Sequence, residues 1–237
     1  MLCVYGVVRS SHPAADSGGA GVTGVQGRPV FVVVSDDLAA LVGEVEGELL
    51  ARRRDVDAHL TVLERALSTG DVLPFRFGAV AADAVAVRAM LEKSAPRFRE
   101  LLARVGGRVQ MTLKLVRDDD AAVRAVVVSD ARLRQVVTTH QRSTVFADKL
   151  ALGERVAAAV EQLSRRDVDE VTRRLSAVAS AMEISTATPP AIASIALLVE
   201  PDRLGELDRL VASLHDELGH RLSFDYAGPM PAYSFVS

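Results

Sequence analysis

A chain of 237 residues with 49 % hydrophobic side chains is long enough for one large domain or two small ones, and it excludes a wholly disordered protein. The net charge of -3, from 28 basic and 31 acidic side chains, argues against a dedicated nucleic-acid-binding protein, which usually carries a basic excess. The single cysteine, Cys3, excludes an intramolecular disulfide, and the sequence shows neither a membrane span of roughly 18 apolar residues nor a signal peptide, so we expect a cytoplasmic protein.

The N-terminal part of the chain combines short apolar runs with a glycine-rich segment. Residues 2–8 predict a first strand, and residues 10–28, rich in Gly and Ser and without a period, predict a mobile loop. Residues 30–34 are continuous and β-branched, which is typical of a strand buried on both faces. Residues 37–50 are expected to be helical.

Two amphipathic helices follow, separated by an extended segment. The first is capped by Asp55 and carries an apolar stripe at spacings of four, three and four: Val56, Leu60, Leu63 and Leu67. Residues 71–77 are predicted to be extended, with Pro74 at a sheet edge or a bulge. The second helix has five apolar residues on one face: Val87, Leu91, Phe98, Leu102 and Val105. It contains Pro96, so we expect a kink or a restart capped by Ser94.

The second half begins with a clear strand and then becomes harder to interpret. Residues 108–115 alternate between apolar and polar side chains, which predicts a half-buried strand. Residues 117–146 show no clear period: residues 118–120 are expected to form a solvated turn, and residues 125–128 fit either a helix or a strand. A long amphipathic helix is predicted over residues 147–182.

The remaining elements decide the fold class. Residues 191–199 predict a central strand, Asp202 caps a helix that Gly219 closes, and residues 221–226 alternate as a last strand. The order of strand, irregular segment, long helix, strand, helix and strand predicts a ferredoxin-like antiparallel sheet with a variable insert. The first half is a second α+β unit.

We therefore predict an α+β protein of two domains. Residues 1–106 form an N-terminal α+β domain that includes the loop 10–28. Residues 107–237 form the ferredoxin-like domain and end in an extended C-terminal tail, residues 228–237.

Motifs that resemble catalytic or metal sites fail on their context. The GxGxxG string from Gly19 to Gly24 does not lie in a turn from a strand into a helix, which dinucleotide binding requires. His215 and His220 are five residues apart, so they cannot face one metal ion from one helix. No GxSxG nucleophile is present. We predict no catalytic, cofactor or metal site.

Two segments have a composition that neither helix nor strand periodicity explains, and both resemble segments of a known family. The first, which we call the LPFRFG segment, sets two phenylalanines and a proline around an arginine: Leu73, Pro74, Phe75, Arg76, Phe77 and Gly78. The second ends the chain with prolines and aromatic residues: Gly228, Pro229, Pro231, Tyr233 and Phe235. The first resembles the LPxRFG segment of the gas vesicle protein GvpF/GvpL family, and the second resembles that family's GPxPPYxFV ending, with Ala232 in place of one proline. Three further segments match in order, so the resemblance covers essentially the whole chain.

The resemblance implies a fold, a role and partners. The family's fold is two α+β domains, the second ferredoxin-like, and the family is not known as enzymes. The implied role is that of a minor structural or accessory protein of gas vesicles. Such a protein binds the hydrophobic major shell protein, limits its aggregation, assists nucleation or assembly of the shell and contacts other gas vesicle proteins. No nucleic-acid or membrane partner is implied. The two segments above are the expected partner-binding residues.

The residues are also compatible with two other functions and with two positions of the tail. A ferredoxin-like domain is also compatible with a regulatory module that senses a small molecule. The third possible function, besides the gas vesicle role and the sensing module, is an enzyme that uses His59 and Arg76. No nucleophile, metal cluster or phosphate loop accompanies these two residues in the sequence. The tail either docks a partner through Tyr233 and Phe235 or packs on its own domain, because burying Phe235 within the chain is also favourable by about 2 kcal/mol.

Overall fold

The computed structural model describes residues 1–16, 21–131, 134–135, 146–185, 187 and 189–236. The chain divides into two compact units. Unit 1 consists of residues 1–111 and 228–237, and unit 2 consists of residues 112–227. The sequence placed the boundary near residue 106 and assigned the tail to the second domain, whereas here the tail belongs to unit 1.

Unit 1 is built around an antiparallel sheet. Its strands are β1 (Leu2–Arg9), β2 (Val30–Ser35), β3 (Leu38–Glu44), β4 (Leu73–Pro74) and β5 (Val80–Ala81). The order is β2-β3-β1-β4, and β5 also pairs with β1. Every residue of β1 from Leu2 to Val8 is buried, so both faces of the sheet must be covered.

Helices cover the two faces of this sheet. They are α1 (Pro13–Asp16), α2 (Arg53–Leu67) and α3 (Ala84–Val105). Residues of α2 pack with Cys3, Tyr5 and Val8 on one face. α3 contacts β1, β2 and β3, and Asp83 caps it by accepting a hydrogen bond from the backbone N–H of Ala86 at 2.9 Å.

Unit 2 has the connectivity of a ferredoxin-like domain. Its elements are β6 (Val109–Arg117), α4 (Asp119–Ser129), α5 (Phe146–Leu175), β7 (Ala181–Ser185), β8 (Ala191–Val199), α6 (Leu204–Leu218) and β9 (Leu222–Met230), and the unit boundary falls within β6 and β9. The sheet order β7-β8-β6-β9 is that of a split βαβ fold, in which α4 and α5 together form the first crossover. The predicted α+β class is confirmed, and residues 125–128, which fitted helix or strand, are helical.

The prediction of a helix over residues 37–50 is wrong. Asp36, with φ 56°, and Asp37 form a two-residue turn that pairs Ser35 with Leu38. Residues 38–43 are all buried in the sheet, between β1 and β2. A short apolar run rich in Ala and Leu fits a helix as well as a strand, and tertiary packing overrides its helical propensity.

Other elements differ from the prediction in detail. β2 is an edge strand that is only partly buried, where burial on both faces was expected. Asp55 is a buried residue inside α2 and not its cap. Of the predicted stripe only Leu63 is buried, while Leu60 and Leu67 are half-buried and Val56 is exposed; the buried face of α2 consists of Asp55, His59, Val62, Leu63 and Ala66. α3 continues through Pro96 without a restart at Ser94.

Three further segments of the prediction change. The helix predicted over residues 147–182 ends at Leu175, and the strand β7 follows, which the sequence missed. Asp118 caps α4, so residues 118–120 start a helix where a turn was expected. Within the described part of residues 10–28, α1 and a 3-10 turn at Val25–Gly27 are formed, and Val25 is fully buried. The start of the GxGxxG string lies outside the described residues.

The buried Tyr5 ring packs directly against the backbone of β3 at Gly43. The Tyr5 hydroxyl accepts a hydrogen bond from the backbone N–H of Val25 at 2.9 Å, and burial raises the pKa of this hydroxyl to about 12. A Cβ atom added at Gly43 would lie 2.8 Å from the Tyr5 hydroxyl oxygen. Gly43 therefore leaves the space that the tyrosine ring occupies.

We expect Gly43→Ala to destabilise the chain by about 1–3 kcal/mol, because the added methyl group collides with the Tyr5 hydroxyl. In a Tyr5→Phe background the same change should cost clearly less, since the colliding oxygen is gone. Denaturant unfolding of the two single variants and the double variant measures this coupling. Additive effects of the two changes would contradict the packing described here.

Candidate docking groove

The LPFRFG segment is fixed to the sheet of unit 1 at its first residues. Leu73 and Pro74 form β4 and pair with Val7 and Gly6 of β1. The backbone N–H of Phe75 donates to the Tyr5 carbonyl at 2.8 Å. Gly78 then adopts a left-handed φ of 95°, which a glycine permits and which turns the chain away.

His59 of α2 contacts the middle of this segment through a hydrogen bond and a ring contact. Its Nε2 lies 2.9 Å from the carbonyl oxygen of Phe75, and because a carbonyl only accepts, Nε2–H is the donor. The ring centroid is 5.2 Å from that of Tyr5 and 5.7 Å from that of Phe77. Its Nδ1 has no partner among the described residues. Burial at 2 % exposure lowers the pKa of His59, so the neutral ring is favoured.

The C-terminal tail packs on unit 1 and leaves Phe235 almost inaccessible. Pro231 and Ala232 are buried, and Phe235 is 1 % exposed within a 3-10 turn at Tyr233–Phe235. The backbone N–H of Ser234 donates to Oε1 of the buried Gln110 at 2.9 Å. Of the two alternatives for the tail, packing within the chain is the one that Phe235 adopts.

The LPFRFG segment and the tail form two walls of one groove of about 530 Å³. Its third wall is one face of α3, at spacings of three and four residues. The lining residues are Leu73, Pro74, Phe75, Arg76, Met90, Ser94, Arg97, Phe98, Leu101, Tyr233 and Val236. Both segments that the sequence singled out therefore meet at one place, although more than 150 positions separate them.

The groove includes part of the predicted set and adds residues that the sequence missed. Five of the predicted residues line it: Leu73, Pro74, Phe75, Arg76 and Tyr233. Six do not line it: Phe77, Gly78, Gly228, Pro229, Pro231 and Phe235. The α3 residues were not predicted as site residues, although Phe98 belongs to the predicted buried stripe and the others repeat beside it: Met90, Ser94, Arg97 and Leu101. Half-buried Met90 and Leu101 in such a second stripe are a detectable signal of a further apolar contact.

The residues discounted for chemistry have structural roles. His59 is enclosed and hydrogen-bonded to the backbone, so it is not presented to a substrate together with the exposed Arg76. The His215 ring packs edge-on against Phe224, with centroids 5.7 Å apart. In the part of the chain that the structure describes, no three His, Cys, Asp or Glu residues are grouped as metal ligands, and no helix has the length and apolar character needed to cross a membrane.

Comparison with known proteins identifies the family. The family model described as gas vesicle synthesis protein GvpL/GvpF matches residues 1–237. The chain belongs to the gas vesicle protein GvpL/GvpF family. It is 35 % identical over 237 residues to gas vesicle protein F of Streptomyces sp. (strain CB03234), with 98 % of each chain covered. It is 32 % identical over 115 residues to gas vesicle protein L of the same strain, with 43 % of each covered.

Solved structures of GvpF proteins share the fold. The crystal structure of GvpF from Anabaena sp. PCC7120 superposes with a TM-score of 0.87 at 22 % identity, covering 100 % of this chain and 98 % of that one. GvpF from Microcystis aeruginosa gives a TM-score of 0.80 at 22 % identity, with the same coverage. The resemblance noted in the sequence is confirmed. The chain has an accessory role in gas vesicles, and its family is not a known enzyme family.

The stability of unit 1 should depend on pH through His59. The pKa of His59 is lowered in the folded chain, so the unfolded chain binds the proton more tightly and stability falls as the pH drops below about 6.5. The variant His59→Gln keeps a donor for the Phe75 carbonyl but has no titrating group.

Between pH 7.5 and 5.5, the wild type should lose about 1 kcal/mol more of its unfolding free energy than His59→Gln does. Denaturant titrations at the two pH values measure the difference. Equal losses in the two proteins would show that His59 does not titrate differently on folding.

Truncation of the Phe235 side chain should lower the stability of unit 1. Phe235→Ala removes a fully buried ring, so we expect a loss of about 3–5 kcal/mol in unfolding free energy. Ser234→Ala is the matched control, since the exposed Ser234 side chain can be removed while its backbone N–H still binds Gln110. Similar stabilities of the two variants would contradict the packing of the tail.

Proposed function

We propose that this chain binds the hydrophobic major shell protein of gas vesicles, limits its aggregation and assists nucleation or assembly of the shell, with the groove of unit 1 as the contact site. The observation that carries the proposal is the groove itself. It is lined largely by half-buried and buried apolar side chains, with Met90, Phe98 and Leu101 on one wall and Tyr233 on another.

A shell subunit with an apolar surface aggregates in water unless another surface covers it. A preformed apolar groove covers such a surface with little ordering cost, because its walls are already held by β1 pairing, by His59 and by the buried Phe235. Aromatic and long apolar side chains supply most of the contact energy in interfaces of this kind.

Burial divides the tail residues between two roles. Phe235 contributes by holding the tail in place and not by touching the partner, since its ring is buried. Tyr233 is half-buried and lines the groove, so its ring is available for contact. Removal of residues 228–237 would therefore expose core residues as well as remove a binding wall, and point variants are the sharper test.

Leu101→Glu should weaken binding of the shell protein by more than about tenfold, because it places a charge on the apolar wall. The measurement is co-purification of co-expressed shell protein, together with light scattering of shell protein diluted from denaturant. Met90→Glu is a second groove variant. Val85→Glu is the matched control, since Val85 lies on the same helix at 70 % exposure and does not line the groove.

The outcomes separate the two parts of the proposal. If the wild type neither retains the shell protein nor delays its aggregation, the function is wrong. If the wild type does so and both folded groove variants match Val85→Glu, the function stands and the groove is not the contact site.

A further inference from the structure

The groove carries a second feature besides its apolar walls, namely two arginine side chains. Arg76 extends from the LPFRFG segment and Arg97 from α3, and both are exposed. They are the only charged residues among those that line the groove in the described part of the chain. A chain of net charge -3 thus presents a local excess of positive charge beside an apolar surface.

Neither guanidinium group has a partner within the described residues, in contrast to the guanidinium groups of Arg99 and Arg28 in the same unit. Arg99, two positions beyond Arg97, is bound to Asp36 and Asp37 at 3.0 and 2.6 Å. Arg28 is paired with Glu46. The two groove arginines therefore keep all of their donors for an external acceptor.

From this combination we propose that the groove recognises an acidic amphipathic segment of a partner protein, in which large apolar side chains enter the groove while carboxylates pair with Arg76 and Arg97. The inference rests on the proposed function for the identity of the partner, and it adds the chemistry of the segment that is bound. The carboxylates fix the register of the segment and the apolar side chains supply the buried area.

Three properties of the groove favour such a segment. Its volume of about 530 Å³ lies within the range that binds a compact group of side chains, so it takes a short anchor and not a whole domain. Arginine presents a planar set of donors that matches a carboxylate in two hydrogen bonds. Groups at the rim of an apolar contact act mainly on association rate and on specificity, which is what distinguishes one apolar partner from another.

The test uses designed helical peptides, so it does not depend on the shell protein. One peptide carries Leu on one face and Glu beside it, a second has Gln in place of Glu, and a third has Lys. We expect the Glu peptide to bind the full-length chain more tightly than the Gln peptide, with an affinity that falls as salt rises. The Lys peptide should bind least.

Charge reversal provides the decisive comparison. Arg76→Glu combined with Arg97→Glu should weaken binding of the Glu peptide by about 25-fold, or about fivefold for each arginine, and should strengthen binding of the Lys peptide. The matched control is Arg65→Glu with Arg155→Glu, which makes the same change in net charge at exposed helical arginines that do not line the groove. This control should change either affinity by less than about twofold.

The possible results distinguish the groove chemistry from the proposed partner. Equal binding of the Glu and Gln peptides, or equal effects of the two double variants, overturns the inference. Binding of shell protein by the wild type and by the Arg76→Glu/Arg97→Glu variant alike also overturns it, while the proposed function stands. If the peptides behave as expected but the shell protein is not bound, the groove chemistry is correct and the proposed partner is wrong.

Discussion

Unit 1 depends on the burial of one side chain near the end of the chain. Phe235 is enclosed in a 3-10 turn, and Tyr233 and Val236, which lie on either side of it, line the groove. Burying a phenylalanine ring contributes about 1.5–3 kcal/mol. The burial of Pro231 and Ala232 adds to this contribution against the entropy that is lost when the tail is ordered. The wall of the groove is thus a consequence of core packing, and partner contact need not order it.

Burial of Phe235 alone does not define the exact position of the tail, and specific contacts of its backbone do so. The Gln110 side chain is itself buried and binds the backbone of Ser234, so the turn cannot slide without leaving an amide unpaired. A Cβ atom at Gly228 would lie 2.6 Å from the Met111 sulfur atom, and this glycine has φ 133°. The tail can therefore approach β6 closely only because residue 228 lacks a side chain. The Arg104 guanidinium group lies 5.8 Å from the centre of the Phe235 ring and covers it.

The sequence is sufficient for the fold class and for most elements, and five of the residues that it singles out line the groove. Helices α3 and α6 and strand β8 were predictable because their apolar residues repeat at a fixed period or form one uninterrupted run. Strand β3 was not predictable from the sequence, because its composition also suits a helix. It is a strand because it pairs with β1 and β2. The LPFRFG segment and the tail could be recognised as unusual. Their contact could not be predicted, because hydrophobic periodicity reports local structure and does not show that residues 73–78 lie near Tyr233. The direction of Phe235 was undecided for the same reason, since an aromatic residue gains similarly from a partner or from its own core.

The order of the chain gives the groove a further property. Unit 2 is continuous from residue 112 to 227, so its contacts can form as soon as that stretch has been synthesised. Unit 1 needs residues 228–237, and the hydrogen bond between Ser234 and Gln110 closes a separation of 124 positions. Such distant contacts form late because loop closure must precede them. The wall formed by Tyr233 and Val236 is therefore completed only after residues 228–236 have been synthesised and have packed on unit 1, so the groove forms later than the contacts within unit 2.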